Sequence, residues 1–289
     1  MTVLIATDLD RTMIYSRSAF GNDESPRRCV EVYDGAPLSF MTERAIAALT
    51  DLAARTPVVP VTTRTRAQFE RIDLPGGPFR YAVVSNGGRI LHDGHDDAAW
   101  RAALEKRIAA ESAPLSELHD DLLGRIDESW VRSTRLADDL FAYLVVDLDR
   151  QPADFVAEWQ AWCATRGWSV SQQGRKIYAM PLGVTKSAAI AEVRDRLIVD
   201  GELPADAPLL AAGDGRLDAD LLESADRAIR PCHGELHDAD WSSPGLQITA
   251  ASGIAAGAEI VDWFRAAFDT PADPASDTIP TPDPALAEK

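Results

Sequence analysis

Val3-Leu4-Ile5-Ala6-Thr7-Asp8-Leu9-Asp10-Arg11-Thr12 joins a continuous apolar run to a polar cluster holding two aspartates. A short uninterrupted run of this kind, closed by a polar residue, is the pattern of a parallel strand buried on both faces. The pattern recurs at Val58 to Val61, Tyr81 to Val84 and Leu209 to Ala212. These runs lead into Thr62-Thr63-Arg64, Ser85-Asn86-Gly87, and Gly213-Asp214-Gly215 with Asp218. Ligands of open parallel sheets bind beyond the carboxyl ends of the strands. The repetition therefore predicts a doubly wound, Rossmann-like α/β core with Asp8, Thr62, Asn86 and Asp214 along one edge.

That set of side chains points to phosphoryl transfer. Hydrolysis of a phosphate monoester is slow enough that enzymes accelerate it by up to about 10²¹-fold, and it needs an in-line nucleophile, charge neutralisation and a proton donor. Asp8 suits the nucleophile, giving an aspartyl phosphate; Asp10 suits the acid that protonates the leaving oxygen and later activates water. Asp214 and Asp218 add two carboxylates to the same edge, and at about 4 Å and an effective dielectric near 20 each like-charge pair costs roughly 4 kcal/mol. The cluster calls for a cation. An all-oxygen set beside a phosphate favours Mg²⁺, with Asp8, Asp214, Asp218 and the backbone carbonyl of Asp10 as its expected ligands. Thr62 offers a hydroxyl to the phosphoryl oxygens, and Lys186, at the start of a helix, offers charge and a favourable dipole. Thr63, Arg64, Asn86 and Gly87 are further candidates for phosphate or substrate contact, and Arg11 is near enough in sequence to reach the same loops.

Between these motifs the chain changes character. Tyr15 to Phe40 is long for a connection and carries Val30-Glu31-Val32-Tyr33 and Pro37-Leu38-Ser39-Phe40 around Asp34-Gly35, which predicts a hairpin flap. Thr42 reads as a helix N-cap before the stripe Ala45, Ile46, Leu49, Leu52. From Arg89 to Met180 two helical stretches, alternating runs, a tryptophan-bearing helix and two more strands predict an inserted α+β unit. The expected division is a core of 1–88 and 181–268, an insert of 89–180, and a proline-rich tail, 269–289, expected to be disordered.

Asp-Leu-Asp-Arg-Thr after a strand, the apolar run into Thr62, the lysine of Gly183-Val184-Thr185-Lys186, and Gly213-Asp214-Gly215 with Asp218 resemble the four signature motifs of the haloacid dehalogenase (HAD) superfamily, in order. The Ser85-Asn86-Gly87-Gly88 run opening the insert is similar to the Cof-like and sucrose-phosphatase-like branch, whose α+β cap sits between the second and third motifs. The resemblance covers about residues 1–268. It implies a HAD-like core with a cap, and a Mg²⁺-dependent phosphatase of a sugar phosphate or other small metabolite. Asp10 favours phosphatases over the branches that lack a second aspartate. Four positions depart from the pattern: Arg11 and Thr63 stand where glycine is usual, Pro60 removes an amide from its strand and argues for an edge or bulge, and Leu217 replaces a frequent asparagine.

Composition narrows the remaining classes. Forty-six acidic against 29 basic residues leave a formal charge of -17, which repels phosphate backbones and anionic membranes; the expected partner is a small phosphorylated metabolite, with no nucleic acid and no membrane. No oligomeric state is written in the sequence. Three widely spaced cysteines and the lack of an apolar targeting segment lead to the expectation of a cytoplasmic protein. Cys232-His233 with His237 and Asp238 matches no common zinc spacing. Two alternatives stay open: a phosphomutase that returns the phosphoryl group to a sugar phosphate, and a binding protein for phosphorylated metabolites without turnover. A signalling receiver domain also gathers acids, a threonine and a lysine around a phosphorylated aspartate, but it is much shorter and has no cap.

Overall fold

The computed structural model describes residues 2–269; the tail expected at 269–289 lies, apart from Asp269, outside them. The strands and helices, in chain order, are β1 (Leu4–Thr7), β2 (Arg27–Tyr33), β3 (Ala36–Thr42), α1 (Glu43–Ala53), β4 (Val58–Pro60), α2 (Arg66–Phe69), β5 (Tyr81–Val84), β6 (Arg89–His92), β7 (His95–Asp96), α3 (Ala98–Glu111), α4 (Leu115–Arg125), β8 (Val131–Ala137), β9 (Phe141–Val146), α5 (Phe155–Ala164), β10 (Trp168–Gln173), β11 (Lys176–Pro181), α6 (Lys186–Val199), β12 (Leu209–Ala212), α7 (Ala219–Ser224), β13 (Arg227–Arg230), α8 (Glu235–Asp238), β14 (Gln247–Ile248) and α9 (Ile254–Asp269). Asp269 closes α9 rather than opening a tail.

The core is a parallel sheet in the order β14-β13-β12-β1-β4. Its strands β12, β1 and β4 are apolar at every position but Thr7, because both of their faces are covered. Val3, Ile5, Leu210 and Ala212 join one cluster with α1 and α9, while Leu4, Ala6, Leu209 and Ala211 join another with α6 and α7. Successive side chains of one strand thus feed two cores, the doubly wound arrangement that the runs predict. Thr42 caps α1, its side chain accepting from the Ala45 amide at 3.1 Å.

Pro60 does act as a boundary. It pairs with Thr7, and the next amide, Val61 N, donates to Thr7 O at 2.8 Å. The Pro60 nitrogen therefore faces away from β1, where a ladder to β5 would need a donor. β4 ends the five-stranded sheet, and β5 continues it only through the Val61–Val83 bridge and a Thr62 N to Val83 O bond of 2.9 Å.

β2 and β3 form the expected hairpin about Asp34-Gly35, both at positive φ. Its register slips on either side of Glu31. A second, antiparallel sheet, β10-β11-β9-β8, carries α3, α4 and α5 on one face, with Trp159 and Trp168 in its apolar core. Residues 89–96, counted above with the insert, instead form β6 and β7 on the β5 sheet, so the second unit's own elements begin at α3. No helix among the described residues is long and apolar enough to cross a membrane.

Candidate active site

Three carboxylates, Asp8 beyond β1 and Asp214 and Asp218 beyond β12, bring one oxygen each within 4.8 Å of one another. All three are buried. Lys186, the first residue of α6 and 1% exposed, reaches them from the side: its Nζ donates to Asp8 Oδ1 at 2.6 Å and to Asp218 Oδ1. α6 begins there because Thr185 is its N-cap, accepting from the Ala188 amide at 3.3 Å, and Asp220 accepts from Ser187 N at 2.9 Å.

The carboxylates are not equivalent. Asp8 Oδ2 accepts from the Thr12 hydroxyl at 3.2 Å. Asp218 Oδ2 takes the backbone amides of Asp214 and Gly215 at 3.0 and 2.8 Å, so both of its oxygens are engaged. Asp214 has, among the described residues, one direct ion pair, to the Arg11 guanidinium at 3.7 Å, with Lys186 further off. Burial, then the Asp218 charge, push the Asp8 carboxyl up to about 7 against the pull of Lys186; burial, then Asp8 and Asp218, also hold Asp214 well above the ordinary carboxylate range. An all-oxygen donor set short of positive charge fits a hard divalent cation. Asp8 and Asp218 each have both oxygens hydrogen-bonded, Asp218 holding the loop and the lysine, and Asp214 is the least engaged of the three expected ligands.

Asp10 stands apart from this group. Its half-exposed carboxylate is gripped by Arg64, Nε to Oδ2 at 2.6 Å and Nη2 to Oδ1 at 2.7 Å. Desolvation acts to raise its pKa, and the Arg64 fork overrides that and brings it below the usual value. Arg64 is fixed in turn by Glu31 of the hairpin, Nη1 to Oε1 at 2.8 Å. The Glu31 side chain is fully buried and also accepts from Ser39 Oγ at 2.6 Å and Arg71 Nη2 at 3.2 Å. Sequence reasoning missed Glu31, since Val30-Glu31-Val32 reads as an alternating strand with its acid outward. The register slip turns it inward.

Thr62 is fully buried and accepts from Arg64 N at 3.2 Å; Thr63 and Arg64 line the cavity beside Asp8. Asn86 and Gly87, expected at the substrate, lie instead against the start of α6. Asn86 Nδ2 donates to Val184 O at 3.1 Å. Gly87 has φ +99°, and a Cβ there would fall 2.1 Å from Thr185 O. Gly87→Ala is expected to cost about 2 kcal/mol or more, because it combines a left-handed backbone with a clash against backbone. A lowered Tm with a matching loss of activity, through displacement of Lys186, is the expected outcome in a melt and rate assay.

Arg11 takes φ +63°, the conformation that makes glycine usual there. His233 holds it: Nε2 donates to Arg11 O at 2.9 Å and Nδ1 accepts from Gly253 N at 3.2 Å, and burial lowers the imidazole pKa so that it is neutral. Cys232 Sγ turns to the Ala251 carbonyl and His237 to Arg230, so this loop braces the Asp8 turn. Leu217 packs against the apolar cluster of the second unit.

The cavity above Asp8 has a volume of about 420 Å³ and is closed on its far side by Tyr143, Gln173, Arg175, Lys176 and Tyr178 of the second unit. Sequence reasoning did not single these out.

No family model and no curated relative matches the chain. Solved structures do. The sucrose-phosphatase of Synechocystis sp. PCC6803, in complex with sucrose and phosphate, matches at TM-score 0.61 and 17% identity over 92% of this chain and 99% of that one. A Thermoplasma acidophilum protein matches at 0.61 and 16% over 92% and 99%. A HAD-superfamily phosphatase from Bacteroides thetaiotaomicron matches at 0.52 and 14% over 92% and 95%. The chain therefore shares its fold with these solved structures over nearly its whole length.

Proposed function

We propose that the protein is a Mg²⁺-dependent phosphatase that hydrolyses a phosphate monoester of a small, sugar-like metabolite through an aspartyl phosphate. The observation that carries this reading is the buried Asp8–Lys186–Asp218 triad beside Asp214 at the floor of a capped cavity. The likeness to a sucrose-phosphatase holding sucrose and phosphate supports the substrate class. In this reading residues 1–88 and 181–268 form the catalytic core and 89–180 the cap, with 89–96 packed on the core sheet.

Asp8 attacks phosphorus, its oxygen forming the new P–O bond as the bond to the leaving oxygen breaks and a proton from Asp10 goes to that oxygen. Water then attacks the acyl phosphate, Asp10 takes its proton, and the Asp8–phosphorus bond breaks to release phosphate. Lys186, the Thr62 hydroxyl and the backbone amides after Asp8 stabilise charge on the equatorial oxygens. Mg²⁺, held by Asp8, Asp214 and the Asp10 carbonyl, supplies charge neutralisation. Asp10 is ionised while Arg64 grips it, so it must leave the fork and take up a proton from solvent before it acts as the acid; the proton it later takes from the attacking water returns to solvent as it re-engages Arg64. The Glu31–Arg64 pair holds it when the site is idle.

Metal binding carries a pH signature. The raised pKa values of Asp8 and Asp214 mean that the metal-free fold gains stability from proton uptake. That contribution is complete below the ordinary carboxylate value and is lost as pH rises through about 7. Mg²⁺ needs the ionised forms. The rise in Tm on adding MgCl₂ is therefore expected to be several degrees near about pH 8 and close to zero near about pH 5; an equal rise at both would argue against a carboxylate-bound ion. Phosphate release from a panel of phosphorylated sugars and polyols, with and without Mg²⁺, tests the activity itself.

A further inference from the structure

The groups just described account for the transferring phosphoryl group and leave the opposite wall of the cavity without a role. That wall is one face of the β10-β11-β9-β8 sheet. Tyr178 stands opposite Tyr143, and Lys176 opposite both Val145 and Gln173. These side chains line the cavity, while Leu144, Ile177 and Ala179, of opposite parity, point into the apolar core behind.

The charges of this wall are unbalanced. Among the cations lining the cavity, Arg11 faces Asp214 at 3.7 Å and Arg64 is committed to Asp10 and Glu31. Arg175 and Lys176, adjacent at the β10–β11 turn, make no ion pair among the described residues. They stand in a chain with a formal charge of -17, and the other two cations of the cavity wall, Arg11 and Arg64, each have an acid beside them. Closing the cavity over a neutral leaving group would desolvate Lys176 further with no carboxylate in direct contact; desolvation already outweighs the pull of Asp10 and Glu31, which are themselves committed to Arg64, and lowers its pKa. The two tyrosine rings, with centroids 5.7 Å apart, and the Gln173 amide offer surface to a polar ring or polyol between the two ends.

We propose that the leaving group of the substrate carries a second anionic group, a carboxylate or a second phosphate, which Lys176 and Arg175 bind at the cap end of the cavity. This rests on the phosphatase reading. It makes the cap a reader of charge at one end and of a polyol body in the middle, while the core reads only the phosphate.

Three compounds on one carbon skeleton test it with the Mg²⁺-loaded protein: glucose 6-phosphate, 6-phosphogluconate and glucose 1,6-bisphosphate. One of the two doubly anionic compounds is expected to exceed glucose 6-phosphate in kcat/KM by about tenfold or more, and which one does so separates a carboxylate from a phosphate. Lys176→Met, and separately Arg175→Met, are expected to collapse that ratio by about tenfold to a hundredfold. Both side chains stand at the cavity rim beside a turn, open to solvent and outside the apolar core, so the variants keep the fold. Equal or better turnover of glucose 6-phosphate, or an unchanged ratio in the variants, overturns the proposal. Binding of the same compounds to Asp8→Asn protein, followed by calorimetry, reads the anion site without turnover. Preference for a doubly anionic compound there, lost in Asp8→Asn with Lys176→Met, supports the proposal even if no phosphate is released by the wild type; release with no such preference leaves the phosphatase reading standing and removes the anion site.

Discussion

Asp8→Asn is expected to lower phosphate release by about 10⁴-fold or more while leaving the protein folded. A loss of that size is what removal of a covalent nucleophile produces. The fold survives because the substitution is nearly isosteric and removes a charge that the site tolerates poorly. Asp8 is buried beside Asp214 and Asp218, and its carboxyl is pushed up to about 7. Without Mg²⁺ the variant should melt at or above the wild-type temperature near about pH 8, where the wild type carries the full like-charge burden. The two measurements separate chemistry from stability. Wild-type turnover by a well-folded variant would refute the nucleophile assignment.

Lys186→Met is expected to have the largest effect on stability. The ammonium is 1% exposed and bonds two buried carboxylates. Removing it leaves both without a cation, and breaking a buried pair from one side costs about 3–5 kcal/mol. Methionine keeps most of the volume, so the loss is electrostatic rather than a cavity. Urea melts of the metal-free protein should show it, and saturating Mg²⁺ should restore part of it by supplying charge from the Asp214 side. Combining Lys186→Met with Asp8→Asn should cost less than the sum of the two, because Asn no longer needs the lysine. Additive losses would mean that the lysine stabilises α6 independently of the carboxylates.

Much of this architecture is legible in the sequence because strands buried on both faces leave so simple a trace. Val3-Leu4-Ile5-Ala6-Thr7 and Leu209-Leu210-Ala211-Ala212 are apolar at both parities, and each parity feeds a separate core. Strand-end residues then fall on one edge by topology, which brings Asp8, Asp214 and Asp218 together over more than two hundred positions. What escaped was set by register and tertiary approach. Glu31 turns inward at a bulge that no residue pattern announces. Asn86 and Gly87 sit beyond a strand as substrate-binding residues would, yet their contacts go to Val184 and Thr185 at the start of α6. The residues of the second sheet facing Asp8 lie on an ordinary alternating hairpin, and only the packing of one sheet against the other tells Lys176 from any exposed lysine. Asp10 is expected from the sequence as the acid beside Asp8, and its side chain instead bonds Arg64 and lies outside the acidic group.

The most direct test is to catch the covalent bond. Borohydride added during turnover of p-nitrophenyl phosphate with Mg²⁺ reduces an acyl phosphate to an alcohol, and peptide mass analysis locates the reduced residue. The expected result is reduction of residue 8 alone, requiring both substrate and Mg²⁺ and missing in Asp8→Asn. Sustained phosphate release with residue 8 unmodified, or with the mark on Asp10 or Asp214, would contradict it.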